Sequence, residues 1–422
     1  MISLKILITT DFYLPTINGV VKSVVNLKKE LIILGHDVRI LTLSDTKDSH
    51  KVDDTIYIRS IGANKIYPGA RLSLIKNNYL IRELVNWHPD IIHTQSEFST
   101  FHMAKHIATI LNIPIIHTYH TVYENYTHYF SPTKSGGRAI AAKFTRRILK
   151  QTDGVIAPSN KVHKLLKSYG VNQKIFVIPT GINIPPEFYT NQEKKLKDIK
   201  RSLSISEDKK VLLFLGRLAK EKKLEEIFQF FNKLDRNDLI LLIVGDGPHR
   251  QFLESYASGL SKNKDILFTG MIPSEDTNYY YRLSDVFITA SNSETQGLTY
   301  IEALSNGIPI ICKKDACLDE VIDDGINGFQ YESFQQFQDQ LNETLSHPNA
   351  YYKLNAFNSV VHFYSSEVFA KRIETAYLEI INHYITKPSR SKHIYSEPIH
   401  KRKYLIVASS KYRKWRNNGD IK

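Results

Sequence analysis

Cysteine is nearly absent from this chain of 422 residues, which holds only Cys312 and Cys317. Two thiols with no clustered histidines exclude a disulfide-stapled scaffold and a cysteine-based zinc site, so both read as core or incidental groups. Long apolar runs are also missing. A bilayer-crossing helix needs roughly 20 apolar residues, whereas runs such as Leu239–Val244 have the length of buried strands. The opening residues, from Met1 to Thr10, lack the apolar block and small-residue cleavage site of a secretory signal. The expectation is a cytoplasmic protein whose membrane contact is peripheral, on the inner face of the cell membrane. Acidic residues are in deficit as well, 43 against 56 Lys and Arg, for a net charge of +13. The excess is local: residues 387–422 carry eleven Lys and Arg against Glu397 and Asp420. With Tyr395, Tyr404, Tyr412 and Trp415 interleaved, this segment suits an anionic membrane surface. A nucleic acid, or no partner at all, remains compatible with the charge alone.

What the sequence has in abundance is alternation. Apolar runs at 5–9, 37–43, 90–93, 113–117 and 154–157 are separated by amphipathic stretches, the pattern of βαβ units and a parallel sheet. A Lys-rich polar stretch follows Pro185 and Pro186, and a second alternating series opens at Lys210. The expected organisation is a first Rossmann-like domain over 1–190 and a second over 205–365. A C-terminal helix over 366–386 is expected to cross back to the first, ahead of a basic tail over 387–422. In open α/β sheets ligands bind beyond the carboxyl ends of the strands, so a site is expected in an interdomain cleft.

The strongest chemical signal runs from Ser291 to Leu304, after one apolar run and into a helical pattern. Its two carboxylates, Glu294 and Glu302, are eight residues apart. With a helix beginning at Gln296, the amides of Thr295, Gln296, Gly297 and Leu298 would form an N-terminal anion site, with Glu302 roughly 10 Å further along the axis. A nucleotide sugar has about that extent: diphosphate at the amides, sugar hydroxyls at Glu294, ribose hydroxyls at Glu302. A capped surface loop with one exposed Glu is the plain structural alternative. No Asp-x-Asp pair at a strand end offers a metal site, and no G-x-G-x-x-G follows the first strand, which excludes a conventional nicotinamide site.

This segment resembles the E-x7-E motif of the family 4 retaining glycosyltransferases, and the resemblance extends along nearly the whole chain to about residue 385. It implies an α/β GT-B fold of two facing Rossmann-like domains, with acceptor and membrane on the first and nucleotide sugar on the second. Gly216-Arg217-Leu218-Ala219-Lys220-Glu221-Lys222 is similar to the family's G-R-L-x-x-E-K element, which assigns Arg217 and Lys222 to the donor diphosphate. Two cations there can replace a divalent metal electrostatically, so no cofactor or metal is expected. Lys223 departs from the small residue of many relatives. Gly19, in Pro15-Thr16-Ile17-Asn18-Gly19, resembles the family loop approaching the donor phosphates. His120, in His117-Thr118-Tyr119-His120, matches the histidine placed near the transferred sugar, whereas His117 reads as a packed strand residue.

The stretches Thr94 to Ser99 and His117 to Tyr129 look particularly like bacterial diacylglycerol glucosyltransferases, which implies transfer from UDP-glucose to diacylglycerol. The Glu97-Phe98-Ser99 stretch departs from the Gly expected shortly after the Ser. Ile140, Phe144 and Ile148 recur at i, i+4 and i+8, opposite Lys143, Arg146, Arg147 and Lys150. That is the pattern of a basic amphipathic helix able to dock on an anionic membrane, and equally of a helix packed on a sheet. The expected partners are a nucleotide sugar and diacylglycerol in an anionic membrane, with no nucleic acid. A polysaccharide or protein acceptor is the alternative within the fold, and a tail-driven nucleic-acid binder the alternative outside it.

Overall fold

The computed structural model describes residues 3–16, 18–63, 70–124, 133–184, 193–347 and 349–386. The chain forms two compact units, Ile182–Ser365 and the residues on either side of it.

The first unit is built on an eight-stranded sheet. Its strand order is Lys174–Val177, Gly154–Ala157, Ile115–Thr118, Ile91–Thr94, Lys5–Thr9, Asp37–Ser44, Thr55–Arg59 and His50–Val52. Only the last pair is antiparallel. The helices Gly19–Ile33, Tyr79–Trp87, Ser99–Leu111, Lys134–Leu149 and Asn160–Ser168 link the strands. Each central strand is apolar on both sides because helices cover both faces: Ile6, Leu7 and Ile8 are all fully buried. Ser366–Thr386 returns to this unit and packs Phe369, Ile373, Tyr377 and Ile380 against Leu4, Ile6, Val24 and Leu27.

The second unit has six parallel strands in the order Ile266–Gly270, Leu239–Val244, Lys210–Leu215, Val286–Thr289, Ile310–Lys313 and Gly328–Tyr331. Every residue of Leu239–Val244 is buried, the signature of a central parallel strand. Cys312 and Cys317 are buried free thiols within this core. Both units are doubly wound α/β sheets, as the alternation of apolar runs predicts. Parallel strands place all their carboxyl ends on one edge of each sheet, and the residues of interest lie there.

Candidate active site

In the second unit, strand Lys210–Leu215 ends at Gly216-Arg217-Leu218. This loop is tied to the next one: the Leu218 amide donates to the Asp246 carbonyl at 2.9 Å. The approach is so close that a Cβ at Gly245 would lie 2.0 Å from the Gly216 carbonyl oxygen, and Gly245 has φ +129°. A side chain there would push the two strand ends apart. Arg217 is thereby fixed at the carboxyl edge, half-buried.

A single 3-10 turn, Lys220–Lys222, then brings Lys222 to Glu294, with its Nζ donating to Oε1 at 2.5 Å. The Ser291 hydroxyl donates to the same oxygen at 2.7 Å. The two ionic side chains are 24% and 15% exposed, so water screens the contact only partly and the charge-assisted bond is of the strong kind. The arrangement joins two sequence-predicted residues 72 positions apart, and adds Ser291, which the motif contained without a role.

The turn after Glu294 differs from the expectation. Helix Leu298–Ser305 begins two residues later than Gln296, capped by Gly297 in the left-handed conformation with φ +78°. The Thr295 and Gln296 amides therefore belong to the preceding loop, where Thr295 is half-buried and Gln296 buried. A Cβ on Gly297 would meet the Tyr300 ring at 2.6 Å, so the turn needs glycine for both space and φ. Further along the helix, Glu302 receives the Tyr281 hydroxyl on Oε2 at 3.1 Å, and the same hydroxyl lies 3.2 Å from the Thr299 carbonyl. Burial, reinforced by the Glu302 charge, pushes the Tyr281 phenol well above its ordinary range, so it remains a donor. Nothing in the sequence pattern singled out Tyr281.

In the first unit, Gly19 opens helix Gly19–Ile33, capped by Asn18, whose side chain accepts from the Val21 amide at 2.9 Å. His120 follows strand Ile115–Thr118, and its Nε2 lies 2.6 Å from Oε1 of Gln95. With that carbonyl oxygen as acceptor, Nε2 carries the proton and Nδ1 the lone pair. Burial pushes the imidazole down to about 4, against the opposing effect of Glu97, so His120 is neutral at physiological pH.

Behind it runs a second layer that the sequence did not announce. Tyr123 donates to Glu97 Oε2 at 2.7 Å, His117 Nε2 stands 3.4 Å from Glu97 Oε1, and His117 Nδ1 meets the Thr94 hydroxyl at 2.8 Å. Asp11, just beyond strand Lys5–Thr9, receives the Thr100 amide at 2.8 Å and is 7% exposed. Burial, with nearby Glu97 adding to it, raises its carboxyl to about 6.

Helix Lys134–Leu149 buries Ala141, Thr145, Ile148 and Leu149 while Lys143, Arg146, Arg147 and Lys150 are exposed. The expected apolar stripe is divided: Ile148 packs inward, and Ile140 is 51% exposed. Ile17, residues 125–129 and the basic tail over 387–422 lie outside the described residues. Among the described residues no helix is long and apolar enough to cross a membrane, and no three His, Cys, Asp or Glu side chains group to hold a metal.

Residues 17–184 match the family description Glycosyltransferase Family 4, and residues 196–358 match Glycosyl transferases group 1. The chain is 35% identical over 386 residues to alpha-monoglucosyldiacylglycerol synthase of Streptococcus pneumoniae, covering 90% of this chain and 86% of the relative. It is 32% identical over 393 residues to the enzyme of the same name from Acholeplasma laidlawii, covering 90% and 98%. Among solved structures, Anabaena HepE in complex with UDP-glucose superposes with a TM-score of 0.69 at 15% identity, over 88% of this chain and 99% of the other. The lipopolysaccharide glycosyltransferase WaaG superposes at 0.62 and 16% identity, over 89% and 99%. The fold is GT-B, and the chain belongs to the family 4 glycosyltransferases, a hexosyl-transferring enzyme.

Proposed function

We propose that this enzyme transfers glucose from UDP-glucose to the free hydroxyl of 1,2-diacylglycerol, with retention of configuration and without a metal ion. The observation that carries the donor side is the Lys222–Glu294 contact at the carboxyl edge of the second unit, with Glu302 held by Tyr281 two turns on. A diphosphate entering beside Lys222 competes with Glu294 for the ammonium. As Lys222 turns to the phosphate, Glu294 keeps the Ser291 hydroxyl and is released toward the sugar hydroxyls. Arg217 supplies the second cation for the developing charge on the leaving UDP. Glu302, accepting from the two ribose hydroxyls, fixes the nucleoside end.

His120 is the group that the family motif assigns to the transferred sugar, and a neutral imidazole suits a hydrogen bond without repelling the positive charge that develops at C1. As the C1–O bond to UDP breaks, the leaving phosphate takes the proton of the acceptor hydroxyl, whose oxygen joins C1 on the same face. The acceptor assignment draws its support from the two relatives named for monoglucosyldiacylglycerol synthesis. Helix Lys134–Leu149, with its exposed cations, would bring the first unit to the anionic membrane that holds such an acceptor.

The test is UDP release by the purified chain with anionic vesicles, with and without diacylglycerol, comparing UDP-glucose with other UDP-sugars and keeping EDTA present throughout. Release that requires both UDP-glucose and diacylglycerol is the expected result. Lipid-independent hydrolysis would redirect the acceptor to polysaccharide or protein, and release that appears only when EDTA is replaced by a divalent cation would overturn the metal-free reading.

A further inference from the structure

Helix Ser99–Leu111 starts without a cap of its own. Phe98 stands at its N-cap with φ −106° and ψ −117°, and no side-chain hydrogen bond from that position reaches the first turn. Buried first-turn amides need an acceptor, and it comes from 89 residues earlier in the chain: Asp11 Oδ1 accepts from the Thr100 amide at 2.8 Å. The same residue is tied to this turn a second time, its own amide donating to the Ser96 hydroxyl oxygen at 3.0 Å. Next to it, the Gln95 amide donates to the Thr9 carbonyl at 2.8 Å. Three hydrogen bonds thus clasp residues 9–11, where strand Lys5–Thr9 ends, to residues 95–100, between strand Ile91–Thr94 and the first turn of the helix. The clasped turn carries Gln95, whose side chain holds the His120 ring, and Glu97, which accepts from Tyr123.

We propose that Asp11 is a positioning residue for sugar transfer: it sets the turn that presents Gln95, and through Gln95 the tautomer and direction of the His120 imidazole. His120 lies two residues past strand Ile115–Thr118, so its backbone has left the sheet and the Gln95 contact is what orients its ring. A carboxylate is not the most stable choice for the clasp. Asp11 is buried, and burial together with the Glu97 charge raises its carboxyl to about 6, so at neutral pH an ionised group is kept where water solvates it poorly. In return, a charged acceptor gives a stronger bond to the helix amide and a favourable interaction with the positive end of the helix. Rigidity there matters for rate, because a displacement of about 1 Å in a reacting constellation can cost on the order of a hundredfold. The clasp lies wholly in the first unit, and it acts on the sugar only through His120.

This inference rests on the placing of His120 at the transferred sugar, but the ring can be observed without any substrate. Nitrogen NMR of the full chain labelled at histidine, with His120 assigned by its loss in His120→Gln, reports the tautomer. The wild type and Asp11→Asn, which keeps an oxygen for the Thr100 amide, should show the Nε2-protonated form, and Asp11→Ala a mixture of both tautomers. In the UDP-release assay, Asp11→Ala should lower kcat by about thirtyfold with little change in the KM for UDP-glucose, and Asp11→Asn should restore most of the rate. Adding Asp11→Ala to Gln95→Ala should lower kcat by less than about twofold further, because the two residues act along one route. Ser96→Ala removes one bond of the clasp and spares the helix cap, so it gives a smaller shift in the same direction even if Asp11→Ala fails to fold. Losses that multiply in the double variant, or a His120 tautomer unaltered by Asp11→Ala and Ser96→Ala, would overturn the proposal. A changed tautomer with an unchanged rate would instead remove His120, and Asp11 with it, from the reaction.

Discussion

Gln95 and His120 form a pair in which one residue sets the chemistry of the other. With the Gln95 carbonyl accepting from Nε2, and burial holding the imidazole at about 4, the ring is a neutral hydrogen-bonding group throughout the working range. Gln95→Glu would place a carboxylate at that nitrogen and favour the imidazolium. The expected result is a new ionisation in the pH profile of sugar transfer between about pH 5 and 7, with a rate loss of about tenfold at low pH. An unchanged profile would separate Gln95 from the chemistry. Asp11 offers a second test with the opposite arithmetic. Its folded-state value of about 6, against an ordinary 3.8, means that the native protein binds the proton more tightly than the unfolded chain. Stability tied to this group is therefore greatest below about pH 4 and is lost as pH rises toward 6, by about 3 kcal/mol in all. Asp11→Asn retains an oxygen for the Thr100 amide and should raise the thermal midpoint at pH 8, with the gain vanishing toward pH 4. Asp11, Gln95 and Glu97 all sit where an apolar run ends, and that position is the sequence signal they gave. The family motif singled out His120 as a site residue, but nothing in the sequence pointed to the pairings themselves, with Thr100 lying 89 residues from Asp11 and Tyr123 26 residues from Glu97.

At the scale of elements, the turn at Gly297 joins the two carboxylates of the motif. A left-handed φ and a Tyr300 ring 2.6 Å from the place of a Cβ leave no room for alanine. Gly297→Ala should cost about 1 to 3 kcal/mol of local strain and raise the KM for UDP-glucose more than it lowers the thermal midpoint, because the displaced segment carries Glu294. Tyr281→Phe removes the donor to Glu302 without changing its volume appreciably, and a threefold to tenfold weaker UDP affinity by calorimetry is expected, on the order of 1 kcal/mol. The central strands were legible because parallel sheets demand nearly continuous apolar runs, whereas the outer strands Thr55–Arg59, Lys174–Val177 and Gly328–Tyr331, each with polar or exposed positions, were not singled out. The start of helix Leu298–Ser305 was not legible either, because it depends on a backbone turn rather than on periodicity. In helix Lys134–Leu149 the apolar pattern misled by phase: Ala141 and Thr145, small enough to lie close to the sheet, take the inward positions, and Ile140 is displaced to the surface. Hydrophobic spacing identifies a face, but side-chain size decides which part of it is buried.

At the scale of the molecule, the chain completes its first unit only with residues that come after the whole of the second. Helix Ser366–Thr386 supplies Phe369, Ala370, Ile373, Ala376, Tyr377, Ile380 and Ile381 to the core that contains Leu4, Ile6, Ile8 and Val24. The contact is specific as well as apolar: the Tyr377 hydroxyl meets His93 Nδ1 at 2.7 Å, while His93 Nε2 meets the Thr118 hydroxyl at 2.7 Å. Burial, with His117 and His120 nearby, holds His93 well below its ordinary value, so both ring nitrogens remain engaged in a neutral network. The Gly154 backbone records how tightly the helix lies on the sheet, since a Cβ there would stand 2.6 Å from Ile380. Ile373→Ala in the full chain should therefore destabilise the first unit by about 2 to 5 kcal/mol, through lost burial and the cavity left behind. Tyr377→Phe should cost about 1 to 2 kcal/mol by leaving a His93 nitrogen unpaired. Because Arg217, Lys222, Glu294 and Glu302 lie in the second unit, and Gly19 and His120 stay in place while the first unit is folded, donor affinity measured below the first melting transition should hardly change in either variant. Sugar transfer to the acceptor should fail as the first unit opens, and a parallel loss of donor affinity at the same temperature would show that the two units do not unfold separately.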